Sequence, residues 1–383
     1  MALKNQKKQK SDSMKLHFKL KGKIEVNSKE KLNKKNFSLL YTPGVAFPCK
    51  EIHRKISAAD RLTISGNTLA VISDGTAVLG LGNIGPKASL PVMEGKCLLF
   101  KELAGINAFP IVIEAKNSTE TINAIKAISP TFAAINLEDI KSPECFEIEN
   151  ELQELGIPVV HDDQHATAIV VLAGLINACK LTGKKFNELK IVLVGTGAAG
   201  TAIIKLLYAS KDFAPKELIP FDSRGPLIYS ENLLGYKKEL TELTKNNFSG
   251  TLNQALINAD VFIGVSVANI LTEKNIASMN SPIIFALANP FPEISPEKAF
   301  AGGAKIVATG RSDYPNQVNN VLVFPGLFKG LIEAKAKKIT PEIKLAAAKA
   351  LANSITPSLK KILPHALDKG YLKKISNAVK KEV

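Results

Sequence analysis

The stretch that constrains this chain most is K-I-V-L-V-G-T-G-A-A-G, residues 190–200. The first five residues read as a short strand buried on both faces, and the apolar run from Gly200 to Tyr208 reads as a helix. A strand that enters a G-x-G-x-x-G turn and leaves as a helix is the phosphate-binding corner of a dinucleotide-binding sheet. Gly195 and Gly197 admit a pyrophosphate and Gly200 lets helix and strand pack, with Thr196, Ala198 and Ala199 completing the cradle at the helix N-terminus. The next strand, residues 218–221, ends in Asp222, placed to meet a ribose hydroxyl and to favour NAD. Ser223 and Arg224 follow, and Arg224 offers a contact to the 2′-phosphate of NADP. Strands expected at 261–264, 283–287 and 305–308 alternate with helices, so this half reads as a Rossmann-type, doubly wound parallel sheet. Asn289, Asn319 and Asn320 fall at or near its carboxyl edge as neutral donors and acceptors for an amide or carboxylate, although Asn289 before proline is also a common turn.

An earlier G-x-G-x-x-G, Gly80 to Gly85, is a decoy. Pro86 and Lys87 follow at once, and no strand-end acid stands at the expected distance. Its glycines are expected to let another segment approach closely.

Upstream lies a second strand–helix–strand unit. The apolar run 132–137 ends in Glu138 and Asp139, and the run 157–160 leads to Asp162 and Asp163. Ser142, Pro143 and Glu144 start the intervening helix and Gly156 stops it. The crossover makes the strands parallel, so both acidic pairs sit at one carboxyl edge. Four converging carboxylates repel unless a cation joins them, and an all-oxygen set favours Mg²⁺ or Mn²⁺. The plainer reading is two solvated loops with acidic ends. His161 and His165 have zinc-pair spacing, but the surrounding carboxylates suit a harder ion and the helix begins between them. Tyr41 at the Pro43–Gly44 turn reads locally as packing, and Lys96, on a helix expected over 91–103, as one lysine among many.

The formal charge of +15 suggests a nucleic-acid binder until it is located. Residues 1–35 carry +9 and residues 360–383 carry +5, leaving +1 for everything between. With four arginines in the chain, solvated lysine-rich ends fit better than a phosphate-backbone reader, so no nucleic-acid partner is expected. The N-terminus has no apolar export signal, and no apolar run reaches the length of a membrane span. Cys49, Cys97, Cys145 and Cys179 have no CxxC spacing and read as reduced thiols in a cytoplasm.

Taken together, Y-T-P-G-V-A (41–46), S-D-G-T-A-V-L-G-L-G-N-I-G (73–85), P-V-M-E-G-K (91–96), N-L-E-D (136–139), H-D-D-Q-H-A-T (161–167), G-T-G-A-A-G (195–200), A-N-P (288–290) and N-N-V-L-V-F-P-G (319–326) resemble the malic enzyme family in its short bacterial form. The resemblance implies oxidative decarboxylation of L-malate to pyruvate and CO₂ with NAD or NADP and Mg²⁺ or Mn²⁺. It implies Tyr41 as general acid, Lys96 as general base, and Glu138, Asp139 and Asp163 as metal ligands, with Asp162 assisting the base. Lys96 would then act as a neutral amine, its pKa depressed by burial and nearby cations. The resemblance also implies a homodimer. One departure is Ala77, where larger members carry an arginine that contacts the substrate carboxylate; Asn289 with Asn319 or Asn320, or another cation, must supply that contact. The expected architecture is α/β with two domains: a disordered basic tail (1–18), an α/β substrate and metal domain (19–163), and the Rossmann domain with C-terminal helices (164–383). Competing readings are a metal-independent hydroxy- or amino-acid dehydrogenase and a non-catalytic dinucleotide sensor.

Overall fold

The computed structural model describes residues 2–230, 233 and 235–383. Its first sheet is all parallel, in the order β2-β1-β3-β4, with β1 Thr68–Ser73, β2 Asn107–Val112, β3 Ala134–Leu137 and β4 Val159–His161. Every residue of β1, β3 and β4 is buried, because crossover helices cover both faces of the sheet.

The second sheet runs β10-β9-β8-β5-β6-β7, with β5 Lys190–Val194, β6 Glu217–Asp222, β7 Gly225–Pro226, β8 Val261–Gly264, β9 Ile283–Ala286 and β10 Ile306–Thr309. Among the described residues of this sheet, only the β6–β7 pair is antiparallel. Strand order reverses beside β5, which pairs with β6 on one side and β8 on the other. That switch point is where an open sheet of this kind leaves a crevice for a ligand.

Helix Asp162–Thr182 joins the two sheets. It starts directly after β4, is buried along most of its length, and ends at Gly183, whose φ of +69° supplies a left-handed cap. Helix Phe324–Glu333 returns from the second half to the first: Phe100, on helix Pro86–Ala104, packs against Phe324 and Phe328 with ring centroids 4.7 and 5.3 Å apart. The core is therefore continuous between the sheets, and their carboxyl edges face a common cavity.

Three local expectations change. The lysine-rich start, expected to be disordered, forms helix Ala2–Leu20, since Ala, Leu, Lys and Gln are strong helix formers and Gly22 is the first breaker. Residues 28–37 read from sequence as a short helix, but the chain becomes helical only at Phe37–Leu40, after a loop organised by the Asn33 and Asn36 side chains. The helix expected to begin at Pro91 begins at Pro86, and Pro91 is tolerated within it. The first G-x-G-x-x-G behaves as expected: a Cβ on Gly80 would stand 2.3 Å from the Asn289 carbonyl oxygen, so that glycine permits close approach of the β9 loop.

Candidate active site

A cavity of about 900 Å³ opens between the two carboxyl edges, a volume in the range of small-molecule sites. Glu138 and Asp139 reach it from the end of β3, and Asp163 from the first turn of helix Asp162–Thr182. The positive end of that helix favours the carboxylates there. Asp139 adopts a left-handed φ of +54°, uncommon for a residue with a side chain. The turn directs its backbone N–H to Asp163 Oδ2 at 3.0 Å.

One oxygen each from Glu138, Asp139 and Asp163 lie within 4.8 Å of one another. Burial raises the Asp139 pKa to about 7, with repulsion from Asp163 next in size. Burial likewise raises Glu138 well above the ordinary carboxylate range, and Asp162 above it. Asp139 Oδ2 and Asp162 Oδ1 are buried with no hydrogen-bond partner among the described residues. A compact set of hard oxygen donors, with Glu138 and Asp139 raised by burial and by neighbouring carboxylates, fits a divalent cation such as Mg²⁺ or Mn²⁺.

Lys96 lies against this cluster. Its Nζ is 2.6 Å from Asp162 Oδ2 and 2.8 Å from Glu138 Oε1, and it sits 4.2 Å from the centroid of the Phe324 ring. Asn320 Nδ2 also donates to Asp162 Oδ2, at 2.5 Å, and Asn136 Nδ2 donates to Glu138 Oε2, at 2.8 Å. Burial pulls the Lys96 pKa down, but Asp162, Glu138 and Asp163 together outweigh it, so the net shift is upward. This differs from the expected neutral amine: the carboxylate fields hold the ammonium charged, and they must be compensated before Lys96 can accept a proton.

The dinucleotide corner forms around β5. Gly195 has φ +106°, and a Cβ there would lie 2.6 Å from the Val265 carbonyl oxygen; a Cβ on Gly200 would meet Gly195 O. Gly197 precedes helix Ala198–Tyr208, Thr196 is buried beside it, and Ala198 and Ala199 line the cavity. Asp222 accepts from the Arg224 backbone N–H at 2.7 Å and pairs with Lys237 at 2.5 Å, and Ser223 lies in the turn between Asp222 and Arg224. Sequence reasoning missed Lys237, because it arrives from a helix beyond the strand-end motif.

Asn289, Asn319 and Asn320 all line the cavity. Asn319 is committed to Gly310 O and the Val321 N–H, and the Asn320 amide nitrogen to Asp162. The Asn289 amide has no hydrogen bond among the described residues and remains available to a ligand. Lys23 and Lys141 also reach the cavity wall; nothing local in their sequence marks either one.

Tyr41 is not brought to this cavity. Its residue is 64% exposed, in edge contact with Phe37, among exposed Leu39, Leu40 and Phe47.

Residues 164–383 match the family model for the NAD-binding domain of malic enzymes, and segments 21–122 and 115–153 match the model for their N-terminal domain. The chain is 48% identical over 379 residues to the bifunctional malic/malolactic enzyme of Bacillus subtilis, covering 97% of this chain and 92% of that one. It is 52% identical over 340 residues to the NAD-dependent malic enzyme of Geobacillus stearothermophilus, covering 88% and 70%. The crystal structure of an NAD-dependent malic enzyme from Thermotoga maritima superposes with a TM-score of 0.91 at 47% identity, covering 96% of this chain and 98% of that one.

Proposed function

Because the chain belongs to the malic enzyme family, we propose that it converts L-malate to pyruvate and CO₂, reducing NAD or NADP, in a site that holds Mg²⁺ or Mn²⁺ on Glu138, Asp139 and Asp163. The observation that carries this reading is Lys96, held 2.6 Å from Asp162 and 2.8 Å from Glu138 beside three clustered carboxylates. When bound, the nicotinamide supplies a hydride acceptor and the cation a Lewis acid for charge developing on oxygen.

The protein's own groups handle the protons. Lys96 takes the proton of the C2 hydroxyl once the neighbouring carboxylate charge is compensated, and Asp162 orients it. The Asn289 amide, free in the cavity wall, is suited to a substrate carboxylate or to the carboxamide of the cofactor, in place of the arginine absent at Ala77. Tyr41 donates the proton that C3 needs after CO₂ leaves. Its exposure among Phe37, Leu39, Leu40 and Phe47 supports a homodimer in which this strip is covered and Tyr41 serves the site of the other copy.

NAD is the favoured cofactor because Asp222 suits a ribose diol; Arg224 and Lys237 keep NADP usable. The same reading keeps a substrate and metal domain at 19–163 and a cofactor domain at 164–383, and the free thiols suit a cytoplasmic location. The test is an assay with malate, Mn²⁺ and each dinucleotide in turn. NADH and pyruvate should appear in equal amounts and stop with EDTA. Turnover that persists in EDTA would instead favour a metal-independent dehydrogenase.

A further inference from the structure

Helix Asp162–Thr182 faces two cavities. Asp163, Thr167 and Val170 share one stripe of the helix and line the Lys96 cavity; Gln164 and His165 point to other sides and line a second cavity of about 380 Å³. The two cavities have no lining residue in common.

Three lysines converge on the second cavity from separate elements. Lys205 comes from helix Ala198–Tyr208, Lys338 from the bend that precedes helix Pro341–Ala352, and Lys344 from that second helix itself. Lys205 pairs with Glu239 at 2.6 Å. Neither Lys338 nor Lys344 has a carboxylate within ion-pair distance among the described residues. The Lys344 Nζ contact is a ring nitrogen, His165 Nδ1, at 3.4 Å. Burial lowers the pKa of this lysine, as expected for a cation drawn from water without a full counter-charge.

The wall holds one buried carboxylate, Glu149, and its oxygens are already engaged. Oε1 accepts from the His161 backbone N–H and from His165 Nε2, both at 2.8 Å, and Oε2 accepts from Gln164 Nε2 at 3.1 Å. Glu149 therefore holds the first turn of helix Asp162–Thr182 in place, and its field does not outweigh the effect of burial on Lys344. The result is a concave site with an excess of cationic donors, one of them mostly desolvated. That arrangement is matched by an anion with several acceptor oxygens.

We propose that this second cavity binds a compact, multiply charged anion bearing phosphate or carboxylate groups, with Lys338, Lys344 and Lys205 as its contacts. The volume suits a small metabolite-sized anion, and the site is separate from the dinucleotide corner at Gly195–Gly200. Binding here depends on none of the catalytic assignments.

Titration calorimetry on the full-length chain tests it, with NAD present to occupy the dinucleotide corner and no divalent metal. Inorganic phosphate and citrate are the two probes. At least one should bind saturably to the wild type, and displacement of one by the other tells a phosphoryl ligand from a carboxylate. Lys344→Met keeps the aliphatic stem, and Lys338→Gln changes an exposed side chain, so both should melt like the wild type. Each should weaken binding about tenfold or more, the worth of a lost charge-assisted contact. Equal affinity in the wild type and both variants, or no saturable binding of either probe to the wild type, would overturn the proposal.

Discussion

The Lys96 ammonium lies 2.6 Å from the Asp162 carboxylate, and their side chains are 7% and 0% exposed. Removing one partner of a buried ion pair typically costs about 3–5 kcal/mol, because the other charge is stranded. Here Glu138 stays 2.8 Å from Lys96, so Asp162→Ala should cost about 3 kcal/mol or less. Its effect on turnover should be larger than its effect on stability, about 10²-fold or more, since Lys96 loses its orienting partner. Urea unfolding and malate kinetics on the same variant compare the two, and a variant with unaltered kcat would remove Asp162 from the proton-handling group.

Asp139 gives a pH dependence with a definite sign. Burial, and then Asp163, raise its pKa from 3.8 to about 7 in the folded chain. Between those values the folded chain holds a proton that the unfolded chain has released. The associated stability is complete below the unfolded value and is lost as pH rises through about 7. In EDTA, Asp139→Asn should therefore gain thermal stability relative to the wild type between about pH 5 and 8. A difference in Tm that stays constant over that range would contradict the shift.

Cofactor preference should hinge on the Asp222–Lys237 pair, 2.5 Å apart. Asp222→Ala removes the carboxylate that repels a 2′-phosphate and frees Lys237 to meet it. The ratio of kcat/KM for NADP over NAD should rise about tenfold or more, the value of one charge-assisted contact. An unchanged ratio would show that Asp222 does not read the ribose.

Tyr41 and Lys96 act at different carbons, so their variants should part in partial reactions. Tyr41→Phe and Lys96→Ala should each lower overall turnover about 10²–10⁴-fold. Reduction of supplied oxaloacetate by NADH should survive better in Tyr41→Phe, while solvent exchange of the pyruvate methyl protons should collapse there. If Tyr41 crosses between copies, mixing the two variants as exchanging dimers should restore about a quarter of wild-type activity, because half the dimers are hybrids with one intact site. Activity no higher than that of the separate variants would place Tyr41 and Lys96 in one chain.

Much of the fold was legible because its signals are local. Lys190–Val194 and the glycines after it fix a strand–turn–helix corner through sterics that any ten residues can display, and Glu138 to Asp163 marks a carboxyl edge through strand endings alone. The electrostatic state of Lys96 was not legible. It depends on Asp162 and Glu138, many residues away in sequence, and on how far burial and carboxylate fields cancel. Lys237 escaped for the same reason, since it matters through a partner that only the folded chain supplies, and Asn320 was legible as a cavity residue but not as the partner of Asp162. The lysine-rich start misled in the other direction: polar composition suggested disorder, while the same residues have high helix propensity. Tyr41 was found by motif and not by environment, and its exposed position suits a role completed by a second copy.

The most direct measurement is Mn²⁺ binding by the intact protein, followed by the loss of the free-ion EPR signal. One ion per chain is expected in the wild type. Asp163→Asn and Glu138→Gln should weaken it about tenfold or more while dinucleotide binding stays close to wild type, because none of the three ligands belongs to the Gly195–Gly200 corner. Wild-type Mn²⁺ affinity in both variants, or no bound Mn²⁺ in a chain that still turns over malate, would contradict a metal site at Glu138, Asp139 and Asp163.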